Sequence, residues 1–387
     1  MKTIIAKALA VSVVLQGLAN LHAAEPKASE AARPQIEVVF VLDTTGSMSG
    51  LIQAAKEKIW AIANTLATTK PAPNIKMGLV GYRDRGDEYV TKRTDLTDDL
   101  DAVYEQLMGF RANGGGDTPE SVNQALHEAV TKIRWSKDEN TYRAIFLVGD
   151  CPPHMDYKDD VKYPETCKTA AKAGLIVNTI QCGNHGATEP IWNDIAGRAE
   201  GRYFRVEQSG GAILASTPFD KELAELSREL EGTRLYYGSA EVLAESKERE
   251  EVAKKIHAGA PLGARARRAV FAASEAGEPA LLGKQELVKD AAEGRVKLGE
   301  LEKNELPSEM QGMTSKEQQK FVFEKLAKRK KIQAQIKAIA AKRQALIEEQ
   351  VRKSKLKGKQ SLDFAIFECI KEQAGKKGIE YKGGPAY

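Results

Sequence analysis

A chain of 387 residues with 42% hydrophobic side chains is long enough for two domains, or for one of about 200 residues with an extension, and can build at least one sizeable core. Its formal net charge of +4 hides an asymmetry, because residues 325–359, KLAKRKKIQAQIKAIAAKRQALIEEQVRKSKLKGK, are strongly basic with only Glu348 and Glu349 opposing. Four cysteines and five scattered histidines show no zinc-ligand spacing, which excludes a zinc cluster as the organising element.

Residues 1–24 read as a secretory signal: Lys2 supplies charge, an apolar run covers residues 4–19, and LHAA offers small residues for cleavage near Ala23 or Ala24. Lys7 and Gln16 interrupt the run and leave it short for a membrane span. No later segment is apolar enough to cross a bilayer, so the expected mature protein is secreted or periplasmic, with a linker over 25–34. The nearly uninterrupted apolar strand IEVVFVLD implies burial on both faces, as in a parallel sheet. A helix (LIQAAKEKIWAIANTLA), a strand (IKMGLVGYRD) and an alternating edge strand (EYVTKRTDL) follow. Two helices come next, DDLDAVYEQLMGF with acids in its opening turn and PESVNQALHEAVTKI with Pro119 at its start. Strand YRAIFLVGD, helix PETCKTAAKAG, strand LIVNTIQCG, helix EPIWNDIAGRAE and strand RYFRVE complete an alternating series. That alternation predicts a doubly wound, mostly parallel α/β domain over 35–217, with its site at the carboxyl ends of the strands. Trp60 and Trp192 fall in amphipathic helices and read as core anchors.

From Pro218 the composition turns to Ala, Glu, Lys and Leu, which predicts a mainly helical region over 218–387 that the site does not need. Within its basic stretch, Ile332, Ile336, Ile339 and Leu346 form a stripe expected to pack as a helical hairpin or short coiled coil rather than on nucleic acid. Export permits disulfides, and Cys151 and Cys182 each follow a predicted strand, so a bridge between them is expected if those strands are neighbours. Cys167 and Cys369 have no evident partner.

Three strand-end loops carry the chemistry. In DTTGS, Asp43, Thr45 and Ser47 alternate, so an extended loop can aim three oxygens at one point. In GGGDTPES, three glycines let the backbone pass close by, while Asp117, Thr118 and Glu120 offer oxygens. In FLVGDCPPH, an apolar strand ends on Asp150. Each loop alone reads equally well as local capping, with Ser47 and Thr118 as helix caps. If the first and fourth strands are neighbours the loops converge, and a set of carboxylates and hydroxyls without thiolate or imidazole suits a hard cation: Mg2+ first, with Mn2+ or Ca2+ of the same class.

These loops resemble the von Willebrand factor A-type (VWA) domain with its metal-ion-dependent adhesion site (MIDAS), whose pattern is Asp-x-Ser-x-Ser, then a Thr, then an Asp. Asp43, Thr45 and Ser47 match the first element with Thr for Ser, and Asp150 matches the last. The middle loop is similar to that of integrin β subunits, where a glutamate reaches the metal, so Thr118 and Glu120 stand as alternatives and Asp117 as a third or as a ligand of a neighbouring site. The resemblance covers about residues 35–207 and implies a non-enzymatic protein-binding module, in which the cation accepts an Asp or Glu carboxylate from a partner. Two rival readings remain: a metal hydrolase using His154, and an envelope scaffold in which the metal braces the loops and the basic helices associate with the envelope. The tripeptide Arg85-Gly86-Asp87 reads as a charged turn rather than an integrin ligand.

Overall fold

The computed structural model describes residues 33–116, 118–210, 216–353, 361–381 and 384–386, and the expected signal segment lies outside them. Six strands form one sheet: β1 (Gln35–Asp43), β2 (Asn74–Tyr82), β3 (Thr91–Thr97), β4 (Tyr142–Gly149), β5 (Ile176–Cys182) and β6 (Tyr203–Val206). Their order is β3-β2-β1-β4-β5-β6, and every pairing is parallel except β2 with the edge strand β3. Chain direction across the sheet reverses between β1 and β4, which places the switch point at the ends of those two strands.

Alternation along β1 explains how both faces are covered. Val39 and Val41 face one core with Ile145 and Leu147, under α3 (Val122–Thr131), α4 (Tyr163–Lys172) and α5 (Thr188–Arg198). Phe40 and Leu42 face the other core with Phe146 and Val148, under α1 (Ser49–Leu66) and α2 (Leu100–Gly109). Trp60 and Trp192 are buried, one in each core.

The remaining helices are α6 (Asp220–Glu231), α7 (Ala240–Gly259), α8 (Leu262–Ala272), α9 (Glu278–Leu282), α10 (Leu287–Ala292), α11 (Ser315–Lys353) and α12 (Leu362–Gly375). Residues Pro34–Tyr387 form one compact unit. A boundary at residue 217 does not separate two cores, because Ile366, Phe367 and Ile370 of α12 join Phe40 and Phe146 in the core on the α1 side of the sheet. Polar groups fix the fit: the Tyr142 hydroxyl donates to Gln373 at 2.9 Å, and the Gln373 and Asn178 amides exchange hydrogen bonds at 2.7 and 3.0 Å. Lys58 and Asp363, both buried, pair at 3.1 Å. Phe271 of α8 packs 5.8 Å from Trp60.

Residues 325–353 of the basic stretch lie within one 39-residue helix, α11, rather than turning back as a hairpin or forming a coiled coil. Its Ile332 and Ile336 pack with Leu223, Leu226 and Leu230 of α6 and the alanines of α8. The expected bridge between Cys151 and Cys182 is also not formed, and all four cysteines are free. The β4–β5 register pairs Gly149 with Gln181, so Cys182 lies level with Asp150, one residue short of Cys151. β4 ends at Gly149, so Cys151 lies in the bend beyond the strand and is partly exposed, whereas Cys182 is buried in the core on the α1 side of the sheet.

Candidate functional site

Register brings the strand-end residues together: Asp43 lies beside Tyr82 on β2, and its neighbour Leu42 is level with Val148, so Asp43 reaches the end of β4 beside Gly149. A side chain at Gly149 would meet the Tyr82 hydroxyl at 2.4 Å and the Asp43 carboxylate at 3.1 Å, so this close approach needs glycine.

The loop after Asp43 does not serve as a helix cap. Thr44 turns away, its hydroxyl donating to the Tyr82 carbonyl at 2.8 Å. Thr45 is extended, and neither it nor Met48, the residues that precede the short 3-10 turn and α1, makes a side-chain capping bond. Instead the Thr45 hydroxyl and backbone N–H both donate to Asp43 Oδ1, at 2.6 and 2.9 Å, and Thr45 and Ser47 hydroxyls lie 3.3 Å apart. Met48 is buried and anchors the loop, while Ser47 stays exposed.

The middle loop departs from expectation. Helix α3 begins at Val122, so Thr118 is not its cap and Glu120 precedes it. The reason is a backbone bridge: Glu120 N–H donates to the Pro152 carbonyl and His154 N–H to the Glu120 carbonyl, both at 3.0 Å. This holds Glu120 against the loop after β4, where it is 2% exposed. Gly114 and Gly115 have positive φ, and a Cβ at Gly115 would approach Glu120 Oε1 to 3.2 Å. Thr118 is exposed, and its hydroxyl lies 3.9 Å from Cys151 Sγ. Asp117 lies outside the described residues.

Asp43, Thr45, Ser47, Thr118, Glu120 and Asp150 therefore gather at an open cleft of about 640 Å³, which Gly114, Gly115, Gly116, Cys151, Asn184, His185 and Gln208 also line, with Asp43 buried just beneath. Gln208 lies after β6 and was not signalled by the strand-end motifs. Its amide donates to Asp150 Oδ2 at 2.7 Å. Three buried carboxylate oxygens at this cleft have no hydrogen-bond partner: Asp43 Oδ2, Glu120 Oε2 and Asp150 Oδ1. Burial pushes the Asp43 carboxyl up to about 7, with Thr45 opposing and Asp150 adding to the rise. Burial pushes Glu120 up to about 9, reinforced by Asp43, Asp84, Asp87 and Asp150. Such groups lack a positive charge in their neighbourhood. Among the described residues, no set of three or more His, Cys, Asp or Glu side chains is gathered closely enough to hold an ion unaided. The hydroxyls of Thr45, Ser47 and Thr118 line the same cleft.

His154 is turned into a separate network. Its ring nitrogens lie 3.3 Å from Asp84 and 2.8 Å from Asp156, and the ring stacks on Tyr157 at 4.0 Å. Arg85 pairs with Asp159 and Asp160, while Asp87 accepts from the Gly115 N–H, so the charges of the Arg85-Gly86-Asp87 turn are used internally.

A sequence profile described as the von Willebrand factor A domain matches residues 37–212. The chain is 24% identical over 198 residues to an ariadne-like RING finger protein of Acanthamoeba polyphaga mimivirus, covering 47% of this chain and 19% of that protein. It is 33% identical over 120 residues to von Willebrand factor A domain-containing protein 7 of Homo sapiens, covering 31% of this chain and 12% of the relative. The chain thus spans less than a fifth of the length of these curated relatives. Among solved structures it is similar to proximal thread matrix protein 1 from the mussel byssus, in a form described with a zinc-occupied MIDAS motif, at 16% identity and a TM-score of 0.36 over 46% of this chain and 42% of that one. It is also similar to the SpRpn10 VWA domain, at 14% identity and a TM-score of 0.35 over 45% and 89% of the two chains. Strand order, strand-end loops and sequence profile agree, and residues 37–212 of this chain are a von Willebrand factor A domain.

Proposed function

We propose that this VWA domain holds one divalent cation at the strand ends and uses it to bind a protein partner through an acidic side chain. The observation that carries the reading is the trio of buried, unpartnered carboxylate oxygens of Asp43, Glu120 and Asp150 at a cleft lined with hydroxyls. Asp43, Thr45, Ser47 and Asp150 would hold the ion, with Glu120 ahead of Thr118 as the middle-loop ligand because Glu120 is buried at the cleft. Oxygen donors of this kind suit Mg2+, with Mn2+ or Ca2+ as alternatives. When bound, the cation supplies a positive site that attracts an external carboxylate. Thr45 orients Asp43 by donating twice to one oxygen and leaving the other free. Gln208 donates once to Asp150 Oδ2 and leaves Oδ1 free.

Binding fits the side chains better than catalysis. His154, the acid or base of the hydrolase reading, is engaged by Asp84, Asp156 and Tyr157. Without a bound cation, burial and Asp150 push the Cys151 thiol up, against thiolate formation. The N-terminal signal-like segment supports placing the protein outside the cytoplasm, secreted or periplasmic.

A pull-down with the immobilised full chain tests this. Proteins from the source organism's envelope should be retained in Mg2+ and lost both in EDTA and with Asp43→Ala. Retention that is indifferent to both changes would remove the cation from the mechanism.

A further inference from the structure

The outward face of α11 has no part in the reading above. Its inward face carries Val322, Ile332, Ile336 and Ile347, together with Arg329 and Arg343. Arg329 grips Glu286 at 2.7 and 2.9 Å, and Arg343 donates to Asp220 at 2.8 Å, so the guanidinium groups of the helix's central stretch are committed inside the protein.

At 100° per residue, exposed Ala327, Ala334, Ala338, Ala341 and Ala345 align on the opposite side. Phe323 continues this stripe at its N-terminal end and is 70% exposed. Lys330 and Lys337 border one edge, Lys331 and Lys342 the other, and Lys328 lies further round. All five lysines are exposed, and none forms an ion pair among the described residues. No acidic residue occurs in the sequence between Glu324 and Glu348. The lysines therefore present uncompensated charge along about 21 Å of helix.

We propose that this face docks on an anionic lipid surface. Lysines on both edges of an alanine stripe, with one exposed aromatic at its end, suit electrostatic attachment to anionic headgroups rather than deep insertion. The alanines let the helix approach closely, and the lysine stems can reach past them to headgroup phosphates. Each lysine near such a surface strengthens binding roughly fivefold. Duplex or single-stranded nucleic acid is the poorer fit, because the forked arginine donors face inward and Phe323 offers one stacking face. A second copy of the same face would meet like charge.

Co-sedimentation of the full chain with phosphatidylcholine vesicles, with and without phosphatidylglycerol, tests the proposal. The expected result is binding to the anionic vesicles alone, abolished by about 0.5 M salt through screening. Lys330→Ala, Lys331→Ala and Lys337→Ala together should weaken it roughly 100-fold, with the circular dichroism spectrum unchanged, and Phe323→Ser should weaken it further. No binding to anionic vesicles, or equal binding by the triple variant, would overturn the proposal. So would a chain that ignores vesicles but shifts with duplex DNA, or one whose dimerisation is lost with the same substitutions.

Discussion

Glu120 and Thr118 sit two residues apart, yet they face different surroundings. Glu120 is buried with an unpartnered oxygen at the cleft, whereas Thr118 is exposed beside Cys151. Glu120→Gln removes a charge that a cation would neutralise, and it should weaken Mg2+ affinity on the order of tenfold or more. Thr118→Val should cost less. Calorimetric titration of the two variants checks the order, and a larger loss in Thr118→Val would transfer the middle-loop role to the hydroxyl. At this scale Asp43, Thr45, Ser47 and Asp150 were legible because each lies at or just past the end of a strongly apolar run, and a strand end in this sheet is a site position. Gln208 was not legible: a glutamine 58 residues beyond Asp150 carries no motif, and its role depends on where the chain passes after β6. The alternative reading of Thr118 as a helix cap does not hold, because backbone bonding of Glu120 to Pro152 and His154 delays the helix to Val122.

The order of strands and helices is legible from hydrophobic period, but their long-range partners are not. The apolar face of α12 looks like that of any amphipathic helix, and nothing local reveals that Gln373 meets Asn178 across 195 residues. The last turn of α7 offers a test of such packing. His257 is buried with both ring nitrogens unpartnered. Burial pushes it down to about 4, Arg268 and Arg228 act in the same direction, and Glu231 and Asp101 oppose them. An unfolded histidine titrates near about 6.5. Between these values the unfolded chain binds a proton that the folded chain does not, so this contribution to stability is complete above about 6.5 and is lost as pH falls towards 4. Urea midpoints measured from pH 7 to 4.5 should therefore fall less steeply in His257→Gln than in the parent chain. Parallel curves would mean that the ring is already charged or solvated in the fold.

Across the whole molecule, the composition change near Pro218 marks a real shift to helix but not an independent body, since α12 joins the core between α1 and the sheet and α8 packs on α1 through Phe271 and Trp60. A side chain such as Ile366 or Phe367 contributes about 1.5–3 kcal/mol when fully buried. Removing residues 218–387 exposes several such partners at once, a loss comparable with the whole stability of a domain. The truncated chain 25–217 should lose its cooperative thermal transition, while the full chain should show coincident transitions by tryptophan fluorescence and circular dichroism. A stable, cooperative 25–217 fragment would contradict the shared core. The central claim is that the ends of β1 and β4 form a cation site, and its most direct test is calorimetric titration of Mg2+ into the full chain and into Asp43→Ala and Asp150→Ala. The account predicts one ion per parent chain and binding weaker by roughly 100-fold in each variant, the upper end of what loss of a supporting partner costs, because each substitution removes a ligand and a counter-charge together. Unchanged Mg2+ affinity in folded Asp43→Ala and Asp150→Ala would contradict it.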